Sequence, residues 1–230
     1  MRSQYYKLCI VIMVILLTGS IPGGTKQKNL KEIFDHVIYT GEPIASSELI
    51  EKGLPKDYYS AKKAVDGKVE TAWVEGVEGD GIDEYIYFKL EVDSFPWYGD
   101  FDTKDNKYIE FEISIINGIG KNKKLYEKNN RIQKAVLEVY EARVVIRQIE
   151  PWIISEQEPI LNSTFNINLK DDIRPQKFII KIRPKQGYDE NLSNFFTFIG
   201  KLIIKEVYAG TKYRDTGISE IKTKRLDIDE

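Results

Sequence analysis

The chain has 230 residues, 42% of them hydrophobic, with 34 basic side chains against 36 acidic ones and a net charge of −2 at pH 7. That length fits one domain plus a targeting segment, and the acidic balance excludes the basic face that nucleic acid or an anionic membrane surface demands. Cys9 is the only cysteine and His36 the only histidine, which excludes a disulfide framework and a histidine-rich metal centre.

Residues 1–24 read as a signal peptide. Arg2 and Lys7 form a positive start, and the apolar run 8–17 leads into Thr18-Gly19-Ser20. An apolar core of about ten residues suits a signal and is too short to span a bilayer as a helix. Cleavage between Gly19 and Gly24 would send the mature chain out of the cell, to the medium, the periplasm or the envelope; the alternative is an uncleaved N-terminal anchor. Cys9 lies inside the apolar run, so the usual N-terminal lipidation is not expected. Residues 25–35 read as a linker, 36–222 as one domain, and 223–230 as a charged tail in solvent.

Strand signals dominate after Gly81. In 85–92, Ile86, Phe88, Leu90 and Val92 share one face, while Tyr85, Tyr87, Lys89 and Glu91 take the other. Residues 108–116 repeat the alternation, with Ile109, Phe111, Ile113 and Ile115 inward. This pattern means one buried face and one wet face. Further short strands are expected over 135–140, 143–149, 165–169, 177–183 and 202–208. No helical run of comparable length separates them, so a βαβ architecture is disfavoured. An all-β fold follows: two antiparallel sheets packed as a jelly-roll sandwich.

Between the two strongest strands, residues 93–107 are longer than a hairpin requires. Phe95, Trp97, Tyr98 and Phe101 crowd there beside Asp93, Asp100 and Asp102. Such rings either close the bottom of a sandwich or form a sugar-facing platform. Trp73, leading from a tight loop into a strand, reads as core. Glu75, Asp80, Asp83 and Glu84 gather around Gly76, Gly79 and Gly81. A pair among them would serve a carboxylate-dependent hydrolase, a binding loop or a calcium site. A phosphate loop is excluded, because no helical pattern follows the glycines. Residues 162–164 and 191–193 are formal glycosylation sequons.

The run Tyr59-Ser60-Ala61-Lys62-Lys63-Ala64-Val65-Asp66-Gly67, then Thr71-Ala72-Trp73-Val74-Glu75-Gly76, pairs with residues 207–221 near the far end. Between them lie Asn117-Gly118-Ile119-Gly120 and Asn129-Asn130-Arg131. Together these resemble the NADase-type glycan-binding, or NADase translocation, domain of the galactose-binding-like (discoidin, coagulation-factor type C) superfamily, over about residues 45–221. The resemblance implies a galactose-binding-like jelly roll in which the first long loop meets the last strand, and a binding module without a catalytic centre. It also implies a structural Ca2+ held by Asp66, Thr71 and Glu220 with backbone oxygens near Ala64 and Lys68, although Lys68 stands where many relatives carry an acid. Ile119 replaces the Tyr of the Asn-Gly-Tyr element and Asp83 a Gly of Gly-Ile-Gly-Glu. Candidate ligand residues are Trp97 and Tyr98 as rings, with Asp83, Asn117, Asn129, Asn130 and Arg131 as polar partners. Arg131 would equally tie loops together, paired with Glu75 or Glu84. The expected partner is a glycan or cell-surface glycoconjugate; the alternative is a protein, as for some discoidin relatives.

Overall fold

The computed structural model describes residues 29–90, 108–147, 150–154, 158–185 and 194–226. The expected signal segment, the sequon at Asn191, and Trp97 and Tyr98 lie outside these described residues.

Two antiparallel sheets face each other. One has six strands: β1 (Ile44–Ala45), β3 (Tyr85–Lys89), β9 (Asn194–Tyr208) and β5 (Arg131–Arg147) in that order, with β6 (Glu150–Ile154) and β7 (Ile160–Asn168) both pairing with β5. The other runs β2 (Trp73–Val74), β10 (Gly217–Leu226), β4 (Ile109–Asn117), β8 (Gln176–Ile182). The all-β jelly-roll sandwich read from the alternating pattern is therefore the architecture. In β4 the inward set Ile109, Phe111, Ile113 and Ile115 is buried as the alternation requires. It meets Ile86, Phe88, Leu90, Leu137 and Phe198 from the opposite sheet in one core, with Phe111 and Phe198 edge to face at 6.0 Å. The Phe88 ring lies over Gly200 on the neighbouring strand, where a Cβ would collide with it. Two short strands, 135–140 and 143–149, were expected where β5 runs on for 17 residues, and the expected strand 202–208 is the second half of β9, which is 15 residues long.

Three sequence expectations are corrected. Residues 30–35 belong to a helix, α1 (Leu30–Thr40), not to a linker. Leu30, Ile33, Phe34, Val37 and Ile38 recur at helical spacing. Asn29 caps the start, its Oδ1 accepting from the Glu32 N–H at 2.7 Å, and Gly41 at φ 71° closes the end. Second, α1 covers part of the outer face of the larger sheet. Ile33, Phe34 and Val37 pack on Tyr87, Ala142 and Ile199, so Tyr87, expected to be wet, is buried. Third, residues 223–226 are not a loose tail. They are the end of β10, paired with Ile113 through Glu110 of β4.

Among the described residues no helix is long and apolar enough to cross a membrane. The strand directions fix two ends. β4 begins at Ile109 beside Ile182 and finishes at Asn117, next to Gly118, Ile218 and Glu220. A second helix, α2 (Lys123–Lys128), follows at the Asn117 end.

Candidate functional site

Three connections converge at the Asn117 end: residues 46–84, 118–130 and 209–216. Their polar groups lock into one another. β2 pairs with the start of β10 (Trp73 with Ile218, Val74 with Gly217), so the two distant signature segments do meet. Trp73 is fully buried and its Nε1–H donates to the Ser47 carbonyl at 2.9 Å; it is core, as read. Glu75 is also fully buried. Its Oε1 accepts from the Thr216 N–H at 3.0 Å and its Oε2 from the Val77 N–H at 2.9 Å. Gly81, at φ 66°, presses on that side chain so closely that a Cβ would strike it. Burial pushes the Glu75 carboxyl above its usual range, against the pull of those two N–H donors. Glu84 is engaged too: Ser46 Oγ donates to its Oε2 at 2.6 Å and Ser47 Oγ donates to the same oxygen.

The candidate ligand residues divide sharply by exposure. Asn117 is buried; its Nδ2 donates to the Ile132 carbonyl and its Oδ1 accepts from the Ile132 N–H, at 2.7 and 2.9 Å. Asn129 donates to the Leu125 carbonyl at 2.8 Å. Asn130 donates to Asp80 Oδ1 at 3.0 Å and to the Arg214 carbonyl at 2.7 Å, and accepts from the Gly210 N–H at 2.7 Å. Arg131 grips Asp171 with two nitrogens at 3.0 and 2.6 Å and donates to the Asn129 and Ala209 carbonyls, both at 3.0 Å. Its partner is thus Asp171, not Glu75 or Glu84, and its guanidinium also lies 5.3 Å from the Tyr126 ring centre. These four side chains spend their hydrogen-bonding capacity inside the fold. Asp83 differs. It is exposed, at φ 69°, and takes a 2.6 Å bond from Lys205 Nζ.

Aromatic surface at this end comes from residues the sequence reading passed over. Tyr213 is 39% exposed and Tyr58 38%. Tyr58 meets Tyr59 edge to face at 4.8 Å, and the Tyr59 hydroxyl donates to Glu51 Oε2 at 3.2 Å. Ile50, Val77 and Ile82 are exposed on the same connections. The one signal available in the sequence was aromatics within the signature segments themselves. By contrast, the residues that bracket Trp97 and Tyr98, Leu90 and Tyr108, sit at the other end of the sandwich. The nine residues of β4 put roughly 26 Å between its two ends. Trp97 and Tyr98 themselves lie outside the described residues.

The implied calcium site can be tested for fit. Asp66 Oδ1 accepts from the Lys68 N–H at 3.0 Å and from Thr71 Oγ1 at 2.8 Å, while Lys68 O lies 2.8 Å from the same Thr71 hydroxyl. One hydroxyl proton cannot serve both oxygens. Glu220 is 2% exposed and its Oε2 has no hydrogen-bond partner. Burial, with the charge of Asp66 adding to it, pushes the Glu220 carboxyl up, against Lys222 and the Gly67 N–H. Two carboxylates, a hydroxyl and a carbonyl crowded around a turn made by Gly67 (φ 77°) are hard oxygen donors of the kind calcium takes. The residues fit the ion. Ala64 is buried at the end of the 3-10 turn Ala61–Ala64 that opens this loop. Among the described residues no group of three or more His, Cys, Asp or Glu gathers to hold a metal, so the ion would lean on carbonyl oxygens.

The family model for the NAD glycohydrolase translocation F5/8 type C domain matches residues 39–224. The chain belongs to this family. Solved structures similar to it include the arabinofuranosyltransferase AftD from Mycobacteria, at 16% identity and a TM-score of 0.43, covering 80% of this chain and 11% of that one. The chain thus spans about a tenth of the length of that protein. CpGH89CBM32-5 from Clostridium perfringens, in complex with GalNAc-β-1,3-galactose, is 18% identical at a TM-score of 0.40, covering 79% of this chain and 92% of that one. An F5/8 type C domain from Bacteroides fragilis is 15% identical at a TM-score of 0.33, covering 78% and 88%. No curated protein matches the chain. F5/8 type C membership makes this a discoidin-like binding domain, and the contact between residues 73–75 and 216–218 lies within the matched region.

Proposed function

We propose that the protein is an exported, non-catalytic module that binds a glycan through the loops at the Asn117 end of the sandwich. The observation that supports this most is the division of labour there. Buried Asn117, Asn129, Asn130, Arg131 and Glu75 hold three connections in place, and those connections present Tyr58, Tyr213 and Asp83 to solvent. A ring fixed before the ligand arrives stacks on a sugar face at little entropic cost. Glu75 and Glu84, the carboxylates a hydrolase would use, are committed to N–H and hydroxyl donors of their own loops. The Asp66–Thr71–Glu220 pocket would hold a structural Ca2+, whose chemistry here is to bridge the first loop to β10. Exposed Ile50, Val77 and Ile82 favour a second reading at the same end, recognition of a protein.

A glycan array probed with the parent protein and two variants tests the proposal. Tyr213→Ala should weaken binding by about tenfold, equivalent to about 1.4 kcal/mol, while Trp97→Ala should leave it within about twofold. The reverse pattern would move the platform to residues 93–107. Binding to no glycan by the parent would favour the protein-recognition reading.

A further inference from the structure

Resting on the glycan-binding reading, we infer that the ligand is acidic: a saccharide carrying a carboxylate or sulfate, its ring against Tyr213 and its anionic group between Lys212 and Lys128. The loop that carries Tyr213 is unusually well fixed for an exposed segment. The N–H groups of Lys212 and Tyr213 both donate to the Lys128 carbonyl, at 3.1 and 2.8 Å, and the Thr211 N–H donates to the Glu127 carbonyl at 2.9 Å. Thr211 Oγ1 adds a bond to that same carbonyl at 3.1 Å, and Gly210 donates to the buried Asn130. Gly210 approaches so near to Lys128 that a Cβ would collide with the carbonyl there. Tyr213 is therefore held at the C-terminal end of α2, next to Lys128, with little freedom.

Residues 209–216 carry Lys212, Arg214 and Asp215, and Lys128 is bonded to them through its carbonyl. Arg214 is neutralised, its Nε and Nη2 both bonded to Asp80 at 2.8 and 2.7 Å. Lys212 has no carboxylate partner among the described residues; its ammonium lies 4.8 Å from the Tyr213 ring centre. Lys128 has no carboxylate partner among them either, although the chain as a whole carries a net charge of −2. Contact with Lys212, helped by the charge of Lys128, holds the Tyr213 hydroxyl below its usual range. The charge of Glu51 acts on Tyr213 in the opposite sense, and the Tyr59 hydroxyl donates to Glu51. The Lys212 ammonium beside an exposed aromatic ring, with Lys128 bonded through its carbonyl to the same loop, complements a sugar that offers an apolar ring face and an anion together. A neutral sugar would leave both charges unused.

Calorimetry with matched probes tests this: trigalacturonate against galactotriose, and 3′-sulfated lactose against lactose, each at low and high salt. The acidic member of a pair should bind at least about tenfold more tightly at low salt, and the advantage should shrink by about 0.5 M NaCl, where screening acts within a few ångströms. Preference for galacturonate or for sulfate identifies which anion the site takes. Lys212→Gln and Lys128→Gln should each cut acidic-probe affinity by about fivefold or more and leave any neutral-probe affinity unchanged; both positions are solvent-facing enough for the variants to fold, which their melting curves would verify. Equal affinity for acidic and neutral probes overturns the inference while leaving the glycan-binding reading intact. Binding to none of the saccharides overturns both, and binding only to phosphatidylserine vesicles assigns the patch to a membrane instead.

Discussion

Replacing Asn130 with alanine removes three hydrogen bonds at once: the side chain's bonds to Asp80 Oδ1 and the Arg214 carbonyl, and the one it accepts from the Gly210 N–H. The residue is 1% exposed, so water cannot replace these partners without loosening the loops. At about 1 kcal/mol net for each bond, the variant should lose about 3 kcal/mol of stability. With a urea dependence of about 2 kcal/mol per molar, the unfolding midpoint should fall by about 1.5 M at unchanged slope. Glycan affinity should drop as well, because residues 209–216 lose their anchor, and the loss should be carried by slower productive docking of a mobile Tyr213. A ligand-contacting Asn130 predicts a different pair of numbers. Stability would then stay within about 0.5 kcal/mol of the parent while affinity collapsed. That outcome would refute the scaffold role assigned to this side chain.

Phe34→Ala should cost about 3–5 kcal/mol in urea unfolding, as a fully buried Phe on a packed face does; a loss under about 1 kcal/mol would mean that α1 is not part of the folded body. Saturating calcium should add about 2.7 kcal/mol at a hundredfold excess over its dissociation constant, and Glu220→Gln should abolish the gain. In chelator, the raised Glu220 carboxyl contributes stability that is full below the unfolded value of 4.5 and is lost as pH rises through the folded value. Urea titrations should therefore show that decline in the parent and a flatter profile in Glu220→Gln. Calcium needs the ionised carboxylates, so its benefit should grow over the same rise in pH. Melting curves that ignore calcium, chelator and the substitution alike would remove the ion from the account.

Much of the sandwich was legible because strict alternation in 85–92 and 108–116 can satisfy only a sheet with one buried face. What the alternation could not report was a helix covering the other face: Tyr87 reads as wet until α1 is placed over it, although Leu30, Ile33, Phe34 and Val37 carried the helical spacing. The charged run 223–226 read as a tail because Lys224 and Arg225 are polar, yet β4 supplies it with a strand partner and Glu112 and Glu110 with which to share a face. At the site, the signature segments correctly foretold that Trp73–Glu75 would meet Thr216–Ile218. The roles of Asn117, Asn130 and Arg131 were harder. Forked donors and acceptors suit a sugar and a backbone equally, and only burial decides between them. Asp171, the partner of Arg131, lies 40 residues away, a separation that no local pattern reveals. The sequence drew attention to the ring-dense stretch 93–107, because density of rings is visible in a sequence, whereas the exposure of Tyr213 and Tyr58 is visible only in the fold.

The central claim, binding without turnover, is tested most directly by titrating one acidic oligosaccharide into the calcium-loaded protein and then assaying the same mixture for released reducing ends, with NAD incubated in parallel. The account predicts saturable binding, no new reducing ends and intact NAD after prolonged incubation. Release of product that disappears in Glu75→Gln or Glu84→Gln variants of normal stability would contradict it.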